Sequence, residues 1–194
     1  MKGEVMNEKR KLELRDFAGY LPYGLCGKNP RKPSYQFVEF EKVPINENLM
    51  FYLDERHGCR IILRPLSDLH ERIIHNGKEI IPIVELAKIY SRNYPHPHNP
   101  EPVDWKFNPC SSEGDQCATG DCEGMENFMF TMTGGDDDDG WGFYVQMEED
   151  ATFRAVNNQR LLWDYLDELK IDYRNLIDDG LAVSVHDIKG TVYG

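Results

Sequence analysis

One decapeptide constrains this chain more than any other stretch: Arg72-Ile73-Ile74-His75-Asn76-Gly77-Lys78-Glu79-Ile80-Ile81. Asn-Gly between two apolar pairs marks a two-residue type I′ turn. Both central residues of that turn need positive φ, and these two residue types accept it. Antiparallel β structure is therefore expected across residues 72–81. Pro82 ends the hairpin. Residues 84–92 then read as a helix, with Leu86, Ala87, Ile89 and Tyr90 on one face.

The rest of the chain follows from period and punctuation. Residues 1–11 are polar and expected to be flexible, and 15–20 give one or two helical turns closed near Pro22. Residues 35–43 alternate as a strand. Residues 49–53 and 59–63 read as two further strands, joined by a hydrophilic hairpin loop over 54–58. Residues 94–124 hold five prolines and three glycines and are expected to form a long irregular loop. Residues 127–133 and 142–147 read as strands joined by an acidic hairpin tip over 134–140. Asn158 is placed to cap a helix over 159–170, lined by Leu162, Tyr165, Leu166 and Leu169. A short helix over 173–179, ending at Gly180, and a strand-like segment over 181–188 close the chain. Helices do not alternate with strands, so the expected class is α+β. It would have a mostly antiparallel sheet of short strands and hairpins, two or three helices, and the C-terminal helix packed on the sheet. At 194 residues a single domain over 1–194 is the expectation.

Charge is distributed unevenly. Of the formal −12, residues 1–100 contribute 16 Lys and Arg against 13 Asp and Glu, and residues 151–194 contribute 5 against 7. Residues 101–150 carry 14 acids and one base, Lys106, for −13. Direct nucleic-acid binding needs clustered Lys and Arg, which this stretch lacks. Cations and basic protein patches suit it better. No apolar run is long enough to span a bilayer, and Met1 to Arg15 lacks the apolar core of a secretory signal. A cytoplasmic protein without membrane association is the expectation, and the sequence does not bear on oligomeric state.

Five cysteines without a secretory signal argue against a disulfide framework. Cys110, Cys117 and Cys122 are spaced C-x6-C-x4-C, with His96 and His98 upstream. Zinc takes four thiolate or imidazole ligands in a tetrahedron, so Cys110, Cys117, Cys122 and His98 are the candidate set for a structural zinc. The C-x2-C knuckle of most zinc folds is missing. A Cys110–Cys117 or Cys117–Cys122 disulfide is disfavoured in a reducing cytosol, and idle thiols are the plain alternative.

Asp136, Asp137, Asp138 and Asp139 stand between glycines. Calcium takes several carboxylate oxygens, but EF-hand spacing is absent and a solvated hairpin tip accounts for the run. Trp105 and Trp141 lie within the same acidic stretch. Aromatic groups among acids can anchor a protein partner while the charges steer it, or they can pack the sheet. No nucleophile elbow, phosphate-binding glycine loop or H-E-x-x-H motif occurs, so no catalytic residue is assigned.

Three stretches resemble a known group. They are Leu14-Arg15-Asp16-Phe17-Ala18-Gly19-Tyr20-Leu21-Pro22-Tyr23-Gly24-Leu25, Ile62-Leu63-Arg64-Pro65-Leu66-Ser67-Asp68-Leu69, and Leu176-Ile177-Asp178-Asp179-Gly180-Leu181-Ala182-Val183. Together they look like small proteins of phages, prophages and mobile elements of gut Bacteroidales. The resemblance spans about half the chain and implies a genomic setting and host-cell cytoplasm, without a reaction or catalytic residues. The segment from about residue 94 to 140 departs from that group.

The expected function is a non-enzymatic interaction module. It would bind a host or phage protein with a basic patch through Asp136–Asp139, Trp105 and Trp141. One form of this is a nucleic-acid mimic or defence inhibitor. The alternatives are a zinc-stabilised domain or metal-dependent enzyme using the cysteine cluster, and a virion or assembly component.

Overall fold

A computed structural model describes residues 10–28, 40–53, 59–93, 106–112, 115–122, 125–134, 141–146 and 152–193. In chain order the elements begin with α1 (Leu14–Phe17), β1 (Cys26–Lys28), β2 (Phe40–Lys42), α2 (Leu49–Leu53) and β3 (Arg60–Leu63). Next come β4 (Ile73–His75), β5 (Lys78–Ile80), α3 (Pro82–Asn93), β6 (Lys106–Ser112) and β7 (Asp115–Cys122). The last are β8 (Met125–Gly134), β9 (Trp141–Gln146), β10 (Phe153–Ala155), α4 (Arg160–Leu169) and β11 (Ala182–Ser184). The class is α+β, and every strand pairing except β3 with β11 is antiparallel. The chain divides into two compact units, one of residues 1–65 with 174–192 and one of 66–173 with 193–194. The sequence reading drew a single domain across both.

The first unit holds a four-stranded sheet in the order β11-β3-β1-β2. Ile61, Ile62 and Leu63 of β3, together with Phe17 and Tyr20, are fully buried. Gly27 sits in tight space. A Cβ there would lie 3.2 Å from Cys59 Sγ, 3.4 Å from Arg60 O and 3.5 Å from Val43 Cγ2. The buried Asp16 carboxylate is fully engaged. Oδ2 accepts from the Glu13 amide at 2.8 Å, and Oδ1 accepts from Arg10 at 2.7 Å. Arg10 also pairs with Asp179, tying the start of the chain to its last turns.

Two expectations change in this unit. Residues 49–53 form helix α2 rather than a strand. Asn46 Oδ1 accepts from the Asn48 amide at 2.9 Å, and the Leu49 amide donates to Asn46 O at 3.0 Å, so the chain turns just before the apolar run. Leu49 and Leu53, four apart, are buried, whereas Phe51 is 63% exposed. A strand would have put all three on one face. With 49–53 helical, no hairpin joins it to β3; the proposed loop itself, 54–58, lies outside the described residues, as do 35–39 of the expected strand over 35–43. Residues 173–179 form successive turns rather than a helix, with Asn175 at φ 61° and Gly180 at φ 71°.

The second unit contains the β4–β5 hairpin, with Asn76 at φ 50° and Gly77 at φ 72° as a type I′ turn demands. Helix α3 follows with Pro82 in its first turn, where the missing amide hydrogen costs nothing. The five-stranded sheet is a meander in the order β10-β9-β8-β7-β6. Phe107, Ala118, Phe130, Met132, Phe143 and Val145 point to the face covered by α3 and α4 and join one core with Leu86, Leu162, Leu166 and Leu169. Aromatic rings run through it from Tyr90 on α3. Its ring centroid is 5.9 Å from Phe130, Phe130 is 5.7 Å from Phe143, and Phe143 is 4.8 Å from Trp163 on α4.

Strands β6 and β7 replace much of the irregular loop expected over 94–124. Lys-Phe-Asn-Pro-Cys-Ser-Ser and Asp-Gln-Cys-Ala-Thr-Gly-Asp-Cys are poor in β-branched residues. Pro109 is tolerated because β6 is the edge of the sheet. Helix α4 begins one residue later than expected. Asn158 Oδ1 still accepts from the Arg160 amide, at 3.3 Å, but Gln159 occupies the N-cap position.

Candidate functional site

The meander sorts the acidic stretch. In an antiparallel meander, alternate connections leave the same end of the sheet. Asp115 opens β7 opposite Ser112, and Trp141 opens β9 opposite Gly134, so these strand ends share one end of the sheet. Asp121 of β7 pairs with Lys106, and Glu126 follows Met125 at the start of β8, so these two acids stand at the other end. Glu101, Asp104, Glu113, Glu123, Glu148, Glu149 and Asp150 lie outside the described residues. The strand interiors between them carry no charge: residues 107–112, 116–120, 127–134 and 141–146 hold no Asp, Glu, Lys or Arg.

The predicted residues divide accordingly. Asp136, Asp137, Asp138, Asp139 and Trp105 lie outside the described residues. Trp141 is the first residue of β9, opposite Gly134. It is half-buried and packs against the core.

The register brings Cys110 and Cys117 directly opposite one another. They begin a row across the sheet that continues through Thr131, Tyr144 and Ala155, on the face away from α4. Cys117 is 1% exposed, and its thiol hydrogen-bonds Thr131 Oγ1 at 3.2 Å. Burial, then the neighbouring Cys117, pushes the half-buried Cys110 thiol up to about 11. The Cys117 amide donates to His70 Nε2 at 3.2 Å. Burial holds His70 below the ordinary imidazole range, with Glu71 opposing, and a neutral ring is what an accepting Nε2 needs. Cys122 pairs with Met125, five residues further along β7 and about 17 Å from Cys117 at the strand rise. His98 lies outside the described residues. Among the described residues, no group of three or more His, Cys, Asp or Glu converges in a way that could hold a metal ion.

One cluster goes unmarked in the sequence reading. His75 Nε2 lies 2.9 Å from Glu168 Oε1 and 3.0 Å from Asn76 Nδ2. The ring meets Tyr165 edge-on, centroids 6.4 Å apart. Burial, then Glu85 and Glu168, raises the Tyr165 phenol above its ordinary range. These groups come from the hairpin, α3 and α4, and they pin the hairpin turn to α4. The available signals were His75 beside the Asn-Gly turn and the i, i+3 spacing of Tyr165 and Glu168.

No protein-family model, no curated protein and no solved structure matches the chain. Among the described residues, no helix is long and apolar enough to cross a membrane.

Proposed function

We propose that this protein is a non-enzymatic interaction module of a phage or mobile element. It binds a host or phage protein by presenting one acidic end of its meander to a basic patch. The observation that carries this reading is the order of the meander, which sets Asp115 and Trp141 at one end of the sheet; Asp136–Asp139 lie in sequence between the end of β8 at Gly134 and the start of β9 at Trp141. Clustered carboxylates make a field that steers basic partners and repels acidic ones. In its nucleic-acid-mimic form, the carboxylates take the place of phosphates in a basic DNA-binding site.

The test is capture of host proteins on the immobilised chain at low and high salt, beside a variant with Asp136–Asp139 replaced by Asn. That variant moves the formal charge from −12 to −8. Screening shortens from about 10 Å at 0.1 M to about 3 Å at 1 M, so specific capture should fade across that range and be weakened in the variant. Capture indifferent to both changes refutes the reading. Competition by duplex DNA for the captured partner separates the mimic from an ordinary acidic docking surface.

A further inference from the structure

We propose that Cys110 and Cys117 form a redox site, a dithiol that closes to a cross-strand disulfide when a small-molecule disulfide oxidises it. The inference rests on the strand register and is independent of the acidic-end reading. Opposed residues in an antiparallel pair have Cα atoms about 4.5–5.5 Å apart, inside the roughly 4.4–6.8 Å that a disulfide spans. Closure therefore needs side-chain rotation more than movement of the backbone.

The two sulfurs have unequal access, and this assigns their order. Cys110, on the edge strand, is half-buried, whereas Cys117 is buried and held by Thr131. Cys110 attacks as its thiolate, which its raised value keeps scarce at neutral pH, so the step is slow there and quickens as pH rises; the S–S bond of the oxidant R–S–S–R breaks and one R–S⁻ departs. The Cys117 thiolate then attacks the Cys110 sulfur of the mixed disulfide and expels the second R–S⁻. The two thiol protons end on the two released thiols. The protein dithiol loses two electrons and the oxidant gains them. The new bond closes the loop through Ser111 to Gln116, which includes Glu113 and Asp115, and fastens the edge strand to its neighbour. Cys26 and Cys59 belong to the other unit, and Cys122 stands at the far end of β7.

The experiment treats the reduced full chain with oxidised glutathione, quenches with acid and digests it without reduction. A protease cutting before aspartate cleaves ahead of Asp115 and Asp121 and puts Cys110, Cys117 and Cys122 on three separate peptides. The expected product joins residues 104–114 to residues 115–120, disappears on reduction, and dominates over any link to Cys122. Cys117→Ser should trap glutathione on Cys110, and Cys110→Ser should leave Cys117 unmodified in the folded chain. A persistent mixed disulfide on Cys110 in the unaltered chain, a dominant link to Cys122, or no reaction where the urea-unfolded chain reacts overturns the proposal. The peptide map of the unaltered chain decides the matter even where a variant fails to fold.

Discussion

Replacing Gln159 with Ala should destabilise the second unit by about 1.5 kcal/mol, although the residue is neither apolar nor charged. Its carboxamide acts as a piece of strand. Oε1 accepts from the Phe143 amide at 3.1 Å, and Nε2 donates to Phe143 O at 3.4 Å. The β9–β10 ladder ends at Tyr144 opposite Ala155, and the Val156 amide reaches Phe143 O at 2.9 Å. Beyond that point only the side chain of Gln159 satisfies the Phe143 amide hydrogen, and Phe143 is fully buried. An unpaired buried amide costs about 1–3 kcal/mol. Gln159 is only half-buried, so releasing its rotamers returns a fraction, about 0.5 kcal/mol, of the roughly 1.5–2 kcal/mol of a fully ordered glutamine, which leaves a net loss near the figure given. Gln159→Glu keeps the acceptor and loses only the donor to Phe143 O, which Val156 still serves, so it should fall between Ala and the unaltered chain. Urea unfolding followed by tryptophan fluorescence reads the effect, because Trp163 packs on Phe143. With a slope of about 2 kcal/mol/M, the midpoint should fall by a little under 1 M. Hydrogen exchange supplies the local test, since the Phe143 amide should lose protection in the Ala variant. An unchanged midpoint together with undiminished protection at Phe143 would refute the reasoning.

Two further perturbations probe other parts of the structure. His70 is held below its ordinary value of 6.5 by burial, so the unfolded chain takes up the proton first as pH falls. The stability linked to His70 is therefore present above about pH 6.5 and lost as pH drops through the folded-state value; His70→Gln, which keeps an acceptor for the Cys117 amide, should flatten that dependence in thermal melts at graded pH, and an identical slope would count against it. In the first unit, Gly27→Ala should cost about 1–3 kcal/mol by overpacking against Cys59 Sγ at 3.2 Å. Cys59→Ala in the same chain should return part of that loss, so strictly additive unfolding energies would show that the sulfur is not the obstacle.

How far the fold was legible depended on whether local pattern and tertiary demand agreed. The Asn76-Gly77 hairpin, α3, α4 and the β8–β9 pair were legible because period, turn chemistry and burial coincide there. Residues 49–53 were misjudged because Leu-Met-Phe-Tyr-Leu suits a strand by composition, and the deciding Asx turn at Asn46 lies outside the run. Strands β6 and β7 were illegible for the opposite reason. Their residues are poor strand formers, and they are strands because β8 offers a full ladder and α3 covers Phe107 and Ala118. Tertiary pairing overrode local preference, as it does most readily in sheets.

The site follows the same division. The excess of carboxylates over residues 101–150 was plain in the composition, but that Asp115 and Asp121 fall at opposite ends of one strand is a property of topology. That topology hinges on the same two strands the residue pattern concealed. With β6 and β7 taken as loop, Cys110, Cys117 and Cys122 looked like one cluster. Placing them on a meander pairs Cys110 with Cys117 and removes Cys122 to the other end of β7. The edge strand β6 carries no charge after Lys106 to discourage pairing with another sheet, so the open edge is itself a surface on which chains can add. The Asn replacements at 136–139 must therefore be followed in oligomeric state as well as in capture. Loss of capture with the oligomeric state unchanged speaks for recognition, and a changed oligomeric state speaks for an effect on assembly.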